Sequence, residues 1–451
     1  MGMLPLKKLA AVTALLGGSF CAEAQDSTND QHKKPQLLKD GKIWLNEDGS
    51  NYFKFTLLTQ VWVRNTDVNP GSTVNGYAKS NITDIGIRRA RMQAFGQIAD
   101  RVFIYTQVGM NNYSYTADRK AGFFIHDVTG EYEVVRKKLS LGAGLTAWNG
   151  LTRYASPSVG SIMGLDAPLF EQTTNDVTDQ FLRKLSIYAK GKLGRLDYRL
   201  VMSDPMNVTK SAGYSSAISS ISNFSPMPAN MQFQGYLQWQ FLDPEGNTTP
   251  YATGTYLGTK KVFNIGAGFQ YQKNAMWHQG ATGDTVSTDL KHFAVDVYYD
   301  APVNKEKGSA ISAYGTFINF DHGPGYLRNQ ATMNPATGSN TPAVINGSGN
   351  GYPSFGTGNL LYAQVGYKFN NNLVGNTTFM PYASIQHASY ERLDKAMNYW
   401  EAGVNWLLKG HTSKLTFTYQ NRPIYEQQTA GNATLTGHKG AFVMQYQVFL
   451  Q

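Results

Sequence analysis

Alternation of polar and apolar residues is the feature that most constrains the fold of this chain. Residues 231–241 read MQFQGYLQWQF, so that Met231, Phe233 and Leu237 share one face of an extended strand while glutamines fill the other. Side chains alternate across a β-strand, and one face of such a strand is therefore apolar and the other polar. The same pattern recurs in four further stretches, residues 52–64, 361–369, 414–420 and 441–451. It predicts an all-β protein.

Three features favour a membrane barrel over a soluble β-sandwich. Aromatic residues lie near the ends of the apolar faces, as in membrane girdles. The predicted strands run to about 9–12 residues, the length of a tilted membrane strand. The gaps between strands alternate between short and long, as do the turns and loops of bacterial barrels. We predict sixteen strands, at residues 52–64, 84–98, 102–112, 123–136, 138–147, 181–192, 195–202, 231–242, 262–271, 289–299, 309–319, 360–369, 376–390, 397–408, 413–421 and 440–450.

The predicted fold is a closed transmembrane antiparallel β-barrel of about sixteen strands with long extracellular loops. Closure is required because every backbone N–H and C=O must find a partner in hydrocarbon. A barrel of this strand number is too wide for side chains to fill, so its interior should hold water. One gap, 243–261, should be short but is long; residues 250–258 are a candidate strand extension there.

The N-terminus has the features of a secretory signal. Lys7 and Lys8 precede an apolar stretch, and residues 22–24 supply an A-x-A cleavage pattern. We expect a signal peptide at 1–24, a solvated periplasmic lead-in at 25–50 and the barrel at 51–451. Cleavage would remove Cys21, the only cysteine, and Phe20 before it argues against a lipoprotein.

Other functional classes find little support in the sequence. The positive charges are scattered, and an exported chain does not meet nucleic acid, so no nucleic-acid partner is expected. The histidines have no zinc-binding spacing, and neither a metal nor another cofactor is expected. No G-x-S-x-G pattern or other nucleophile motif occurs, so an enzyme is not expected.

The stretch IRRARMQAFGQ, residues 87–97, places three arginines on a predicted strand. Arg89 and Arg91 share a face with glutamines, and an outward arginine at the membrane midplane would cost about 2–4 kcal/mol. We therefore expect both to face the lumen. Arg88 falls on the lipid side of the alternation, and we place it near the interface, where its head can snorkel.

Further charged residues fall on the polar faces of predicted strands or in the third long gap, 148–180. They are candidates to line the pore, or to brace its wall as ion pairs; both roles stay open. The candidate pore-lining residues are Lys54, Arg64, Arg89, Arg91, Asp127, Glu131, Arg153, Asp166, Glu171 and Lys368.

The sequence IRRAR, followed by FGQIADRVFIYTQVGM, resembles the opening hairpin of the phosphate-selective porin O and P family, in particular its Bacteroidetes-type members. Residues 148–150, WNG, and residues 183–200, RKLSIYAKGKLGRLDYRL, are similar to the start of the third loop and the next hairpin. The resemblance implies a sixteen-stranded, trimeric outer-membrane porin whose third loop folds into the lumen. It also implies a basic ladder at the constriction of phosphate-selecting members.

The third loop of this chain lacks that ladder. It carries one arginine, Arg153, against four acidic residues, Asp166, Glu171, Asp176 and Asp179. Phosphate selectivity therefore does not follow from the residues. An acidic loop facing a basic wall would instead set a transverse field across the pore.

We expect an outer-membrane porin for passive diffusion of small hydrophilic solutes and ions, with anions such as phosphate among the candidates. Its partners would be those solutes, membrane lipid and lipopolysaccharide, and two further copies in a homotrimer. The alternatives are a substrate-specific channel for a sugar or oligosaccharide, and a structural or adhesion barrel.

Overall fold

The computed structural model describes residues 38–39, 41–118, 122–146, 150–208, 217–427 and 431–450. Within them, sixteen long strands form one closed antiparallel sheet, and the predicted fold class is confirmed. The barrel strands, numbered along the chain, are β1 (Tyr52–Asp67), β2 (Asn81–Ala99), β3 (Val102–Tyr113), β4 (Phe124–Val135), β5 (Leu139–Thr146), β6 (Lys184–Leu193), β7 (Leu196–Asp204), β8 (Gln232–Gln240), β9 (Val262–Gln279), β10 (Thr285–Asn304), β11 (Ser309–Asp321), β12 (Gly358–Lys368), β13 (Thr378–Tyr390), β14 (Met397–Lys409), β15 (Ser413–Glu426) and β16 (Thr434–Leu450).

The barrel closes where the last strand meets the first. Gln447 of β16 lies opposite Gln60 of β1, and Met444 lies opposite Val63. Each remaining barrel strand pairs with its neighbours in the chain order, so the ladder leaves no free edge. Closure satisfies the backbone polar groups within a membrane, as the strand pattern predicts.

The two faces of the wall are inverted relative to a soluble protein. On β1, Thr56, Gln60 and Arg64 are buried inside the barrel, while Phe55 and Leu57 are 42% and 49% exposed on the outside. The same inversion holds for the other predicted alternating stretches; on β8, for example, the glutamines are buried and Trp239 is exposed. Period-two alternation therefore assigns the faces correctly along these strands.

Aromatic rings gather near both rims of the outer face. Phe241 and Phe263 lie 5.0 Å apart between ring centroids at the rim that carries most of the short turns. Trp400, Tyr419 and Phe442 form a chain of ring contacts toward the opposite rim. An apolar outer belt between two aromatic girdles on a closed barrel is the surface of a protein of the bacterial outer membrane.

Several strands extend beyond the predicted bounds. Strand β9 continues to Gln279, and β10 already begins at Thr285. In the same way, β15 continues to Glu426, and β16 already begins at Thr434. The predicted long gaps 272–288 and 422–439 therefore consist partly of strand. The connections that stay long are 147–183, 205–231 and 322–357, and at the opposite rim 241–261.

Short elements complete the described chain. Lys42–Trp44 pairs with the start of β1, so this part of the predicted lead-in extends the sheet; the signal peptide and residues 25–37 lie outside the described residues. The other short strands are Leu38–Lys39, Ser72–Val74, Tyr77–Ala78, Asn223–Phe224, Leu327–Gln330, Gly338–Ser339 and Tyr352–Gly356, and the 3-10 helices are Arg153–Ala155 and Leu169–Glu171. Among the residues that the structure describes, no helix is long and apolar enough to cross a membrane.

Candidate functional site: the barrel lumen

Residues 150–180, the described part of the third loop, lie inside the barrel against its wall. Gln60 of β1 donates to the carbonyl of Val159 at 3.1 Å, and Lys414 of β15 donates to the carbonyl of Ile162 at 2.8 Å. Asn405 of β14 donates to the carbonyl of Met163 at 2.9 Å. Amide and ammonium donors of the inner wall therefore satisfy backbone carbonyls that a loop in the lumen would otherwise bury unpaired.

Glycine on the wall lets this loop approach closely. A Cβ atom on Gly268 of β9 would lie 2.2 Å from the carbonyl oxygen of Leu151, which no real side chain tolerates. On the loop itself, a Cβ atom on Gly160 would lie 2.4 Å from the ring of Phe449. Both contacts require the missing side chain, because backbone or ring atoms occupy its place.

The arginines of β2 meet the third loop through a β-bulge. Gln60 lies opposite Arg89, whereas the next residue, Val61, lies opposite Ile87, so Arg88 is the extra residue on β2. The bulge turns both Arg88 and Arg89 to the inside, and both bind the Asp166 carboxylate, with Arg88 Nη2 at 2.6 Å from Oδ2. The prediction that Arg88 lies at the membrane interface is wrong, because the alternation changes phase at this bulge.

Two further arginines of the same wall have different partners. Arg64 on β1 forms a bidentate pair with Asp84 of β2, at 2.6 and 2.8 Å, and also donates to the carbonyl of Thr332 at 3.0 Å. Arg91 is buried and donates to the side-chain oxygen of Asn111 at 3.1 Å. No acidic side chain of the described residues forms a salt bridge with Arg91, and it therefore adds an uncompensated positive charge to this wall.

Acidic residues predicted on β4 are held by a basic residue of β6 and by Arg183, which directly precedes β6. Glu131 lies 2.7 Å from Lys190 Nζ and accepts a hydrogen bond from Tyr188 at 2.8 Å. Asp127 lies 3.5 Å from Arg183. These pairs are buried within the wall, as braces would be, and Glu131 is not the partner of the β2 arginines.

The other predicted residues are spread over the lumen. Glu171 is buried in the third loop, where the hydroxyls of Thr152 and Tyr314 donate to it. Lys54 is half-buried near the start of β1. Lys368 is buried at the end of β12 and donates to the Gly308 carbonyl at 2.5 Å.

A second segment, residues 241–261 between β8 and β9, enters the lumen from the rim opposite to that of the third loop. Its Ala252 exchanges backbone hydrogen bonds with Ser156 and Ser158 of the third loop, at 2.9 and 2.7 Å. Its Tyr251 donates to Asp127 at 2.6 Å. The candidate strand extension at 250–258 is therefore wrong: no barrel strand forms there, and the polar segment instead pairs with the loop.

Arg153 and Glu245 join these two segments by a buried ion pair. Arg153 Nη2 lies 2.6 Å from Glu245 Oε1, and its other terminal nitrogen bonds the second carboxylate oxygen. Arg153 also lies over the ring of Tyr298, 3.8 Å from the centroid. The bidentate geometry fixes the third loop to the 241–261 segment.

The long connection at residues 322–357 folds over the lumen from the third-loop rim. Its Arg328 donates to the carbonyls of Thr173 and Asn175 in the third loop, at 2.9 and 3.0 Å. Arg422 of β15 holds it from the wall through the Gly349 carbonyl at 3.2 Å. Three inward segments thus share the interior, and each restricts the path through the barrel.

Tyrosine is the commonest aromatic residue of the chain, and many of its rings point inward. Their hydroxyls bond wall carboxylates and amides; Tyr236, for example, donates to Asp296 at 2.8 Å. Buried inner tyrosines lie on strands all around the barrel, among them Tyr105, Tyr188, Tyr236, Tyr298, Tyr314, Tyr362, Tyr382 and Tyr390. An amphipathic ring fills space and keeps the lumen surface polar.

Sequence reasoning missed several charged residues of the lumen. Glu245, Asp296, Glu401 and Arg422 are all buried. On β14 and β15 the signal was available, because Glu401 and Arg422 fall on the inner side of the alternation. Glu245 had no such signal, since it lies outside a strand. The described residues contain no group of three or more His, Cys, Asp or Glu side chains suited to a metal ion.

Comparison with known proteins finds likeness in structure alone. No protein-family model matches the chain, and no curated protein matches it either. OmpF of Salmonella typhi, solved in complex with daunomycin, is 11% identical over 90% of this chain and 99% of its own, with a TM-score of 0.49. OmpT of Vibrio cholerae in its trimer form is 8% identical over 89% and 100%, with a TM-score of 0.47. The outer-membrane channel DcaP of Acinetobacter baumannii is 11% identical over 89% and 99%, with a TM-score of 0.44.

These structures resemble the chain in fold, and the resemblance to the phosphate-selective porin family stays a prediction.

Proposed function

We propose that this protein is a passive channel of the bacterial outer membrane for small hydrophilic solutes and ions. The observation that carries the proposal is the inverted wall of a closed sixteen-stranded barrel: apolar outside and lined with amide, hydroxyl and charged groups inside. Such a lumen takes up water and polar solutes. Passive diffusion through it needs no catalytic group.

The ten predicted pore residues enter this proposal as three groups. Arg91 acts as a buried positive charge of the wall that forms no salt bridge with a described residue. Arg64, Arg89, Asp127, Glu131, Arg153 and Asp166 act first as braces, because each is bonded to a partner of opposite charge in the wall or in an inward segment. Lys54, Glu171 and Lys368 contribute to the lumen outside these pairs.

A liposome-swelling assay tests this function. Vesicles that contain the folded protein should swell in solutions of small sugars and amino acids at rates that fall steeply with solute size. Vesicles with heat-denatured protein should not swell. Swelling at the rate of the denatured control for every solute would contradict the proposal.

A substrate-specific channel is the second candidate, and the filled lumen favours it. The third loop bonds both the 241–261 segment and the 322–357 loop, and a cavity lies between it and each of them. A general diffusion pore would instead need one open eyelet. Selectivity for anions such as phosphate has only the arginines of β2 in its favour, and the reversal potential in a salt gradient would decide it.

We also propose a homotrimer, because the strands on one side of the wall are only just long enough to cross the membrane. Strands β5, β6, β7 and β8 have 8, 10, 9 and 9 residues, whereas β9 and β10 have 18 and 20. A tilted strand needs about 9–11 residues to cross the hydrocarbon core. Neighbouring subunits would cover this side of the wall. Native mass spectrometry in mild detergent should give three copies, and a single copy would remove this part of the proposal.

A further inference from the structure

A cavity lies between the third loop and the 322–357 loop, against the inner wall formed by β12 to β16 and β1. The third loop contributes Asp166 and Leu169, and the 322–357 loop contributes Asn350 and Tyr352. The wall contributes aromatic, amide and charged side chains, namely Trp62, Tyr362, Ser384, Gln386, Tyr399, Glu401, Gln420 and Arg422. The cavity has a volume of about 60 Å³ and is partly open to the lumen.

Glu401 supplies a negative charge without a cation. It is 8% exposed, and it accepts hydrogen bonds from Gln420, at 3.1 Å, and from Ser384. No basic side chain of the described residues forms a salt bridge with it. The third loop approaches the carboxylate closely at Gly164, where a Cβ atom would lie 2.7 Å from Glu401 Oε1. A buried carboxylate of this kind gains most from a ligand that brings a positive charge.

Tyrosine rings surround the same carboxylate. Tyr352 stacks on Tyr399 with ring centroids 4.6 Å apart and planes 9° from parallel, and Tyr362 also lines the cavity. Aromatic faces beside a carboxylate attract organic ammonium groups, because the ring quadrupole and the negative charge act together. The surroundings of Glu401 therefore suit an amine better than a hydrated metal ion.

Arg422 supplies the opposite charge at the other side of the cavity. It is 4% exposed, and it donates to neutral oxygens: Asn69 Oδ1 at 3.0 Å and the carbonyls of Asp67 and Gly349. No acidic side chain of the described residues forms a salt bridge with it. Arginine binds carboxylates in preference to carbonyls when one is offered.

Glu401 and Arg422 are close in the sheet but do not pair. Glu401 lies opposite Gln420 in the β14–β15 ladder, and Arg422 follows two residues later on the same face. Diagonal positions of this kind are about 7–8 Å apart, near enough for long side chains to meet. Glu401 instead lies against the third loop and Arg422 reaches the 322–357 loop, so the cavity separates two unlike charges.

We propose that this cavity binds a solute carrying both an ammonium and a carboxylate group: a free amino acid or a very short peptide. The ammonium would lie at Glu401 among the tyrosines, and the carboxylate would lie at Arg422. This inference rests on the proposed channel function, whose solute class it names. A neutral sugar would neutralise neither charge. Preferential binding of a sugar is therefore the result that competes with this proposal.

Isothermal titration calorimetry on the detergent-solubilised full-length protein tests the proposal. The probes are L-leucine, leucinamide with only the ammonium, N-acetyl-leucine with only the carboxylate, and glucose. L-Leucine should bind at least about tenfold more tightly than either singly charged probe, since each of those leaves one buried charge without a partner. Glucose should bind more weakly still.

A matched pair of variants assigns the ammonium site. Glu401→Gln keeps the size of the side chain and should weaken L-leucine at least about tenfold while leaving N-acetyl-leucine within about twofold of its wild-type affinity. Glu306→Gln, at an exposed turn residue, should change neither. Tyr399→Leu should also weaken L-leucine, which tests the aromatic wall without changing a charge.

Several results would overturn the inference. These are glucose binding as tightly as L-leucine, no measurable L-leucine binding, or equal loss of L-leucine affinity in Glu401→Gln and Glu306→Gln. The potassium chloride conductance of the same preparations separates the two claims. If the protein conducts but does not distinguish the probes, the proposed channel function stands and the amino-acid site is refuted. If it binds L-leucine but does not conduct, the amino-acid site stands and the channel function is refuted.

Discussion

Arg153 of the third loop and Glu245 of the 241–261 segment form a bidentate ion pair inside the barrel, with their side chains 2% and 6% exposed. The two residues enter the barrel from opposite rims. Their pairing joins the third loop and the 241–261 segment, which are remote in sequence, into one partition across the lumen. The width of the path through the barrel therefore depends on both segments.

The first prediction concerns the stability of this partition. Arg153→Met should lower the free energy of unfolding by about 3–5 kcal/mol, because it leaves Glu245 buried without its partner. The measurement is thermal unfolding in detergent, followed by the loss of β-sheet circular dichroism. Arg153→Met combined with Glu245→Met should recover part of the loss.

An exposed ion pair provides the control. Arg136 and Asp100 are 65% and 72% exposed, and Arg136→Met should cost less than about 1 kcal/mol. Equal destabilisation by the two single substitutions would mean that the buried pair does not hold the partition.

The second prediction concerns the width of the path. Replacing residues 246–258 with a short Gly-Ser linker removes the contacts at Ala252 and Tyr251. Single-channel conductance should then rise at least about twofold, because a barrel of this size leaves a wide channel when it is not filled. The turn 280–284 is hydrogen-bonded to itself and to its flanking strands, and shortening it should leave the conductance unchanged. Equal conductance in both variants and the wild type would show that the segment does not restrict the path.

The third prediction concerns ion preference. Asp166 is buried, which favours its neutral form, but Arg88 and Arg89 outweigh this effect and hold the pKa of Asp166 below its usual value. It therefore stays charged at neutral pH. Asp166→Asn should shift the reversal potential in a salt gradient toward anion preference, and Arg91→Gln should shift it toward cation preference. Both shifts should shrink at 1 M salt, where screening shortens to about 3 Å.

The brace interpretation gives a different result for the same variants. If these residues only hold the wall, Asp166→Asn will lower the unfolding temperature and leave the reversal potential unchanged. Arg91→Gln distinguishes the two interpretations more clearly than Asp166→Asn does, since Arg91 has no salt-bridge partner among the described residues.

The orientation of a side chain can be predicted from the sequence where the strand's own alternation determines it, and not where distant contacts do. The faces of β1 and β8 were predictable because lipid outside and water inside impose the same alternation on every membrane strand. The inward orientation of Arg88 was not predictable, since one extra residue in the β1–β2 ladder reverses the alternation. Nothing in the local pattern marks the position of this bulge.

The inward segments lie beyond what local patterns contain. Residues 241–261 are polar and rich in turn formers, as an exposed loop would be. Their place in the lumen depends on distant partners such as Asp127 and Arg153. Likewise, the acidic third loop was predictable from composition, but the bonding of Asp166 to Arg88 was not.

The fourth prediction concerns pH. Burial and the nearby Asp179 raise the pKa of Asp176 to about 6. The folded protein then holds a proton that the unfolded chain releases near 3.8, so this residue lowers stability as the pH rises from about 4 to about 6. Asp176→Asn should remove this loss, and asparagine suits the positive φ of 57° at this position. The unfolding temperatures of variant and wild type should diverge between pH 4 and 6 in favour of the variant; a constant difference would contradict the prediction.

Single-channel recording in a planar bilayer tests the central claim, that the barrel conducts, most directly. Folded protein, verified by its heat-modifiable electrophoretic mobility, should insert with discrete steps of equal size in potassium chloride. The step size should rise in proportion to salt concentration, and it should be larger in the variant that lacks residues 246–258. A folded preparation that inserts without conductance steps at any applied voltage, in the wild type and in that variant alike, would contradict the account and leave a structural or adhesion barrel.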